Sequence, residues 1–163
     1  MKKLTLTADI TVYPDIESLP DAMGDLMRGA VTAREKAYAP YSKFKVGAAL
    51  LLEDGSVVYG NNQENAAFPS GLCAERVAVF HAGATHPGKT IKALAITAAS
   101  ELRAVTEAIA PCGGCRQALA EYEYRQNSPI AVYFMGDRSE VYLAASVKEL
   151  LPLVFTKDDL LNK

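Results

Sequence analysis

Lys45-Val46-Gly47-Ala48-Ala49-Leu50-Leu51-Leu52-Glu53-Asp54-Gly55-Ser56-Val57-Val58-Tyr59-Gly60-Asn61 reads as two strands, 45 to 53 and 57 to 61, folded back on each other at Asp54-Gly55. Asp-Gly between apolar runs is a strong short hairpin signal. The chain then changes period. After a loop from Asn62 to Leu72, residues Cys73, Val77 and Phe80 fall at helical spacing, and Gly83 is a plausible stop. Ile91 to Ala99 is dense in apolar residues and reads as a buried strand. A helix follows from Pro111-Cys112 to about Arg125, with Pro129 blocking its extension. Ile130 to Met135 and Glu140 to Leu143 read as two more strands, and Val147 to Leu151 as a last short helix. Upstream, residues 19 to 38 suit a helix opening near Pro20 and ending before Ala39-Pro40. Leu4, Leu6, Ala8, Ile10 and Val12 alternate with polar neighbours, the pattern of an extended arm or edge strand. Strands alternating with helices predict a layered α/β domain with one sheet between helices.

With 163 residues, half of them hydrophobic, the chain suits one domain over 1–163, with 1–18 as an additional N-terminal arm. The net charge is −2 and there is no block of like charges, which argues against polymeric nucleic acid and anionic lipid as partners. No apolar run approaches the ~20 residues of a membrane span. Asp9 and the threonines near the start break a signal-peptide pattern. Three cysteines, two of them spaced by Gly-Gly, fit a reducing compartment and metal binding better than a disulfide framework, so a cytoplasmic address is expected.

Those cysteines stand in Cys73-Ala74-Glu75-Arg76 and Pro111-Cys112-Gly113-Gly114-Cys115-Arg116-Gln117. A Cys-x-x-Cys pair with one distant cysteine can give zinc three thiolates and leave the fourth tetrahedral position to water, the ligand count of a catalytic site. Both groups fall where a predicted helix begins, and the positive end of a helix lowers a cysteine's pKa toward the thiolate. Three thiolates on Zn²⁺ sum to −1, which weakens the metal as a Lewis acid. Arg76, three residues after Cys73, could donate to thiolate sulfur and offset this. Glu75 could move the water's protons. Two residues from a ligand it would diverge inside a helix, but at the first turn a long side chain can reach across. His81 would lie about 12 Å further along the helix at ~1.5 Å per residue, too far to share the metal. His86 sits in a turn. On these residues alone, two other readings stay open: buried free cysteines, and a thiol redox pair.

Cys-Ala-Glu followed by Pro-Cys-x-x-Cys matches the zinc-deaminase arrangement with Cys in place of the first His. With Tyr41-Ser42-Lys43-Phe44, Val46-Gly47-Ala48-Ala49 and Asn62-Gln63-Glu64-Asn65-Ala66, the set resembles the small homotetrameric cytidine deaminases over roughly residues 20 to 155. The resemblance implies a three-layer α/β/α sandwich with a central mixed five-stranded sheet, and a homotetramer whose sites are completed by neighbouring subunits. It also implies one Zn²⁺ per chain on Cys73, Cys112 and Cys115, with Glu75 as proton shuttle. Asn62 and Glu64 match residues that hold the ribose, Phe44 the aromatic that stacks on the base, and the backbone of Ala74 a contact to the pyrimidine. Phe155 resembles an aromatic that reaches a neighbouring subunit's site. The implied activity is hydrolytic deamination of cytidine and 2′-deoxycytidine to the uridines and ammonia, a step of pyrimidine salvage. The alternatives are a deaminase for a modified cytosine nucleoside or another aminated ring, and a zinc-binding structural module without chemistry. The chain departs from the family pattern at Phe68, where tyrosine is common, and at Pro69-Ser70. It departs again in a longer, helix-prone approach over residues 100 to 110, and in the N-terminal arm.

Overall fold

The hairpin of the sequence forms one end of the sheet, with its second strand at the edge. In the computed structural model, which describes residues 1–161, the elements run β1 (Ile10–Tyr13), α1 (Asp21–Glu35), β2 (Phe44–Leu52), β3 (Val57–Asn61), α2 (Ala74–Thr85), β4 (Ile91–Ser100), α3 (Gly113–Gln126), β5 (Ala131–Met135), β6 (Val141–Ala144) and α4 (Val147–Leu150). The strand order is β1-β6-β5-β4-β2-β3. Only β4 and β5 run parallel, joined by the crossover through α3; every other pairing is antiparallel. Gly55 takes the positive φ of +85° that the tight turn between β2 and β3 needs.

Strict alternation along the central strands divides the core in two. Ala48 and Leu50 of β2, Leu94 and Ile96 of β4, and Val132 and Phe134 of β5 face α2, α3 and α4. Their neighbours Ala49, Ala93, Ala95, Tyr133 and Met135 face α1, which supplies Leu26, Met27 and Ala30. Successive side chains point to opposite faces of a sheet, so a strand apolar at every position must be covered on both sides. The layered α/β expectation is met.

The sheet has six strands, not the five expected. The sixth comes from the N-terminal arm: Ile10 to Tyr13 pair antiparallel with Ala144 to Val141 along the edge of β6. Only four arm residues join the ladder, because β6 is itself four residues long. Residues 1–9 lie outside the strand, with Leu4 and Leu6 exposed.

Residues 101–110 are also unlike the expectation. They form no helix but an irregular strap, with Val105 buried and its carbonyl accepting the Asp137 amide at 2.9 Å. The strap crosses Gly136 at backbone distance, where any Cβ would strike the Val105 and Glu107 carbonyls. Docking on that glycine overrides the segment's local helix propensity.

A second close approach fixes the start of α2. A Cβ on Gly60 of β3 would lie 2.6 Å from the Ala78 amide nitrogen, so the first turns of α2 rest directly on the strand backbone. Gly60→Val should therefore lift α2 off the sheet and cost about 1–3 kcal/mol, as overpacking of a tight contact does. Urea unfolding of the variant against the parent protein measures it; an unchanged midpoint would contradict the contact.

Candidate active site

Both helices that carry the cysteines start with one. Cys73 is the N-cap of α2 and Cys112 the N-cap of α3, each with extended backbone. Ser, Thr, Asp and Asn are the usual residues there, because their oxygens accept from the first free amides. Neither cysteine makes a side-chain cap bond. The sulfurs are directed instead at one another. The Sγ atoms of Cys73, Cys112 and Cys115 lie within 4.8 Å of each other, and Cys112 Sγ is 3.5 Å from Cys115 Sγ. Tetrahedral zinc with Zn–S near 2.3 Å asks for sulfur separations of about 3.8 Å. The donor set fits zinc, and among the described residues no fourth Cys, His, Asp or Glu joins it. His81 and His86 stand outside the cluster; the His86 ring meets Thr85 Oγ1 at 2.9 Å instead.

Electrostatics around the sulfurs are uneven. The Cys73 thiol is brought down to about 5, first by its contact with Cys115 and then by Arg76, whose Nη2 donates to Cys73 Sγ at 3.7 Å. Cys115 is pushed up by the same contact and by burial. Arg76 Nε is buried without a hydrogen-bond partner. Glu75, only 4% exposed, has its pKa raised, chiefly by burial, with the negative charge on Cys73 adding to the shift. A carboxyl that prefers to hold its proton next to a thiolate cluster is equipped to take a proton and release it.

A cavity of about 780 Å³ opens over this cluster, and Cys73, Glu75, Arg76 and Cys112 line it. The loop before β2 contributes Tyr41 and Ser42, and the first residue of β2 contributes Phe44; the loop after β3 contributes Asn62, Glu64, Phe68 and Leu72. Ile109 and Ala110 come from the strap. Phe44 follows Lys43, whose positive φ of 55° turns the chain into the strand. Glu64 Oε2 accepts the amides of Tyr41 at 2.9 Å and Ser42 at 3.2 Å. Its pKa is lowered, first by the Ser42 side chain and then by these amides, so it is held as an anion. Asn62 has a second employment that the sequence did not reveal. Its Oδ1 accepts from Val46 N at 2.8 Å and its Nδ2 donates to Phe44 O at 2.9 Å, stitching the loop to β2. One amide proton and one lone pair remain for a ligand.

Two residues from the sequence reading do not line this cavity. Ala74 is fully buried, its carbonyl pressed over Gly60. Phe155 is 56% exposed, and its carbonyl accepts from Gln117 Nε2 at 2.8 Å. Arg34, which no sequence pattern marks, donates to Thr97 Oγ1 at 2.9 Å and pairs with Asp137 at 2.6 Å. Thr97 Oγ1 donates in turn to Gly136 O, the residue under the strap. An arginine at the end of an amphipathic helix carries no signal of such a role.

Comparison with known proteins identifies the family. The family model for the cytidine and deoxycytidylate deaminase zinc-binding region matches residues 21–129. The cytidine deaminase of Sporosarcina psychrophila is 44% identical over 128 residues, which are 78% of this chain and 87% of that protein. That of Halalkalibacterium halodurans is 41% identical over 135 residues, 83% of this chain and 95% of that protein. The crystal structure of cytidine deaminase from Burkholderia pseudomallei superposes with a TM-score of 0.70 at 41% identity, covering 80% of this chain and 97% of that one. On sequence and fold, the chain belongs to the cytidine deaminase family.

Proposed function

We propose that this protein hydrolyses cytidine and 2′-deoxycytidine to the corresponding uridines and ammonia, in the cytoplasm, as part of pyrimidine salvage. The observation that carries the reading is the buried Glu75 beside three convergent cysteine sulfurs at a nucleoside-sized cavity. Cys73, Cys112 and Cys115 hold one zinc per chain. When bound, zinc supplies the acidity that makes a water nucleophilic near neutral pH.

The chain's own residues do the rest. The Glu75 carboxylate accepts a proton from the attacking water and passes it to N3 of the pyrimidine as the bond from oxygen to C4 forms. It then carries the second proton to the exocyclic nitrogen as the C4–N bond breaks, releasing ammonia and the uridine. Arg76 spreads the thiolate charge, which favours acidification of the water. Phe44 stacks on the base. Glu64, already ionised and anchored by two amides, accepts from a ribose hydroxyl; Asn62 offers its remaining amide proton. Phe155, exposed on its own chain, reaches the site of a neighbouring subunit in a homotetramer of single-domain chains.

Loss of the cytidine chromophore, followed in the ultraviolet, tests the activity. Rates on cytidine, deoxycytidine, 5-substituted cytidines, free cytosine and adenosine define the substrate; turnover confined to one of the others would overturn the reading. Glu75→Gln should keep its zinc and lose about 10²–10⁴-fold in kcat, the contribution of a positioned acid–base group. Near-normal turnover in that variant would remove Glu75 from the mechanism. Glu64→Gln should raise KM for cytidine about tenfold or more, in line with the 1.5–3 kcal/mol of a charge-assisted hydrogen bond, and leave kcat within a few-fold. An unchanged KM would contradict its ribose contact.

A further inference from the structure

The segment that carries two of the three cysteines is loose by composition. A Cβ at Gly113 or Gly114 would meet nothing within 4 Å, so no close approach demands glycine at either position. Two consecutive glycines weaken the first turn of a helix, and Cys112 at its N-cap makes no side-chain cap bond to stiffen it. Beyond the backbone bond from Arg116 N to Cys112 O at 2.9 Å, a side chain must hold Cys112 in place.

Arg116 does so from the next residue. Its Nε donates to Pro111 O at 2.7 Å, and its Nη1 donates to Leu150 O at 2.7 Å. The Pro111 carbonyl belongs to the peptide that enters Cys112, so fixing that plane fixes the direction from which the ligand leaves the backbone. Leu150 is the last residue of α4, where a helix has carbonyls without an intrahelical partner. A cation in the first turn of a helix opposes the helix dipole, so Arg116 does not serve α3 itself. The far end of α4 is equally secured. Buried Glu123 of α3 accepts from Val147 N at 2.9 Å and Ser146 Oγ at 2.7 Å. One residue beyond Arg116, Gln117 donates to Phe155 O. The first turn of α3 thus grips the metal loop on one side and the C-terminal segment on the other.

We propose that Arg116 is a positioning residue for the zinc centre, clamping the Pro111–Cys112 peptide to the end of α4 and keeping the segment with Phe155 in register with the metal loop. This rests on the zinc reading given under the proposed function. It needs no contact between Arg116 and substrate.

Zinc-loaded parent protein, Arg116→Gln, Arg116→Lys and Ser146→Ala are mixed with excess chromogenic chelator, and zinc release is timed beside a thermal melt of each. Ser146→Ala loosens the start of α4 without touching the metal loop, so it reports general destabilisation. Arg116→Gln should release zinc about tenfold faster than the parent or more, the scale seen when outer partners of a metal ligand are removed. Arg116→Lys, which keeps the charge and one reach, should fall between them and carries the test if the glutamine variant does not fold. Ser146→Ala should release at the parental rate whatever its melting temperature. Parental release rates in both arginine variants would overturn the proposal, as would equal acceleration in Ser146→Ala. A parent protein that binds no zinc would refute the zinc reading itself, and is seen before any variant is compared.

Discussion

Everything functional here depends on two helix starts being pressed to within a few ångströms of each other over one sheet. α2 is set by the contact of its first turns with Gly60, and α3 by the crossover that joins parallel strands β4 and β5. The N-caps of both helices are cysteines, and a third cysteine lies one turn into α3. Forgoing an oxygen cap costs each helix about 1 kcal/mol. A zinc shared between the two starts would offset this many times over, since structural zinc sites contribute on the order of 10 kcal/mol. In such an arrangement metal binding and packing of the helices on the sheet are one process.

The same convergence sets the environment of Glu75, the proposed acid–base group. Glu75 sits in the first turn of α2, next to a ligand, where a carboxylate normally gains from the helix dipole and would stay ionised. Burial and the charge on Cys73 push the other way and win, raising its affinity for a proton. Glu64 is the contrast: two backbone amides and a serine hold it as an anion at the mouth of the cavity. Two carboxylates in one cavity are driven apart in acidity by environment alone, one suited to shuttling protons and the other to accepting hydrogen bonds.

How much of this was legible in the sequence follows from the range of the interactions involved. The hairpin at Asp54-Gly55, the three long helices and the cysteine positions are local signals, and the structure meets them within a few residues at each end. The sixth strand was half legible: alternation over residues 3 to 12 marked an edge strand, but only the length of β6 decides that four residues pair. Residues 101–110 misled because Glu101-Leu102-Arg103-Ala104 has good helix propensity, while the strap's course is dictated by Gly136, some thirty residues later in the chain. Asn62 stands out by its motif, but its side-chain bonds to Val46 N and Phe44 O, on either side of Lys45, depend on strand register and leave no trace in composition. The Arg34–Asp137 pair and the Arg116 clamp are likewise products of tertiary packing.

The central claim is that three cysteine sulfurs hold a zinc whose fourth position is open to water. X-ray absorption at the zinc edge of the purified protein tests it most directly. Three sulfur scatterers are expected at about 2.3 Å, with one oxygen or nitrogen at about 2.0 Å that changes when a nucleoside is added. Four protein-derived scatterers unaffected by nucleoside, or a protein without zinc, would contradict it.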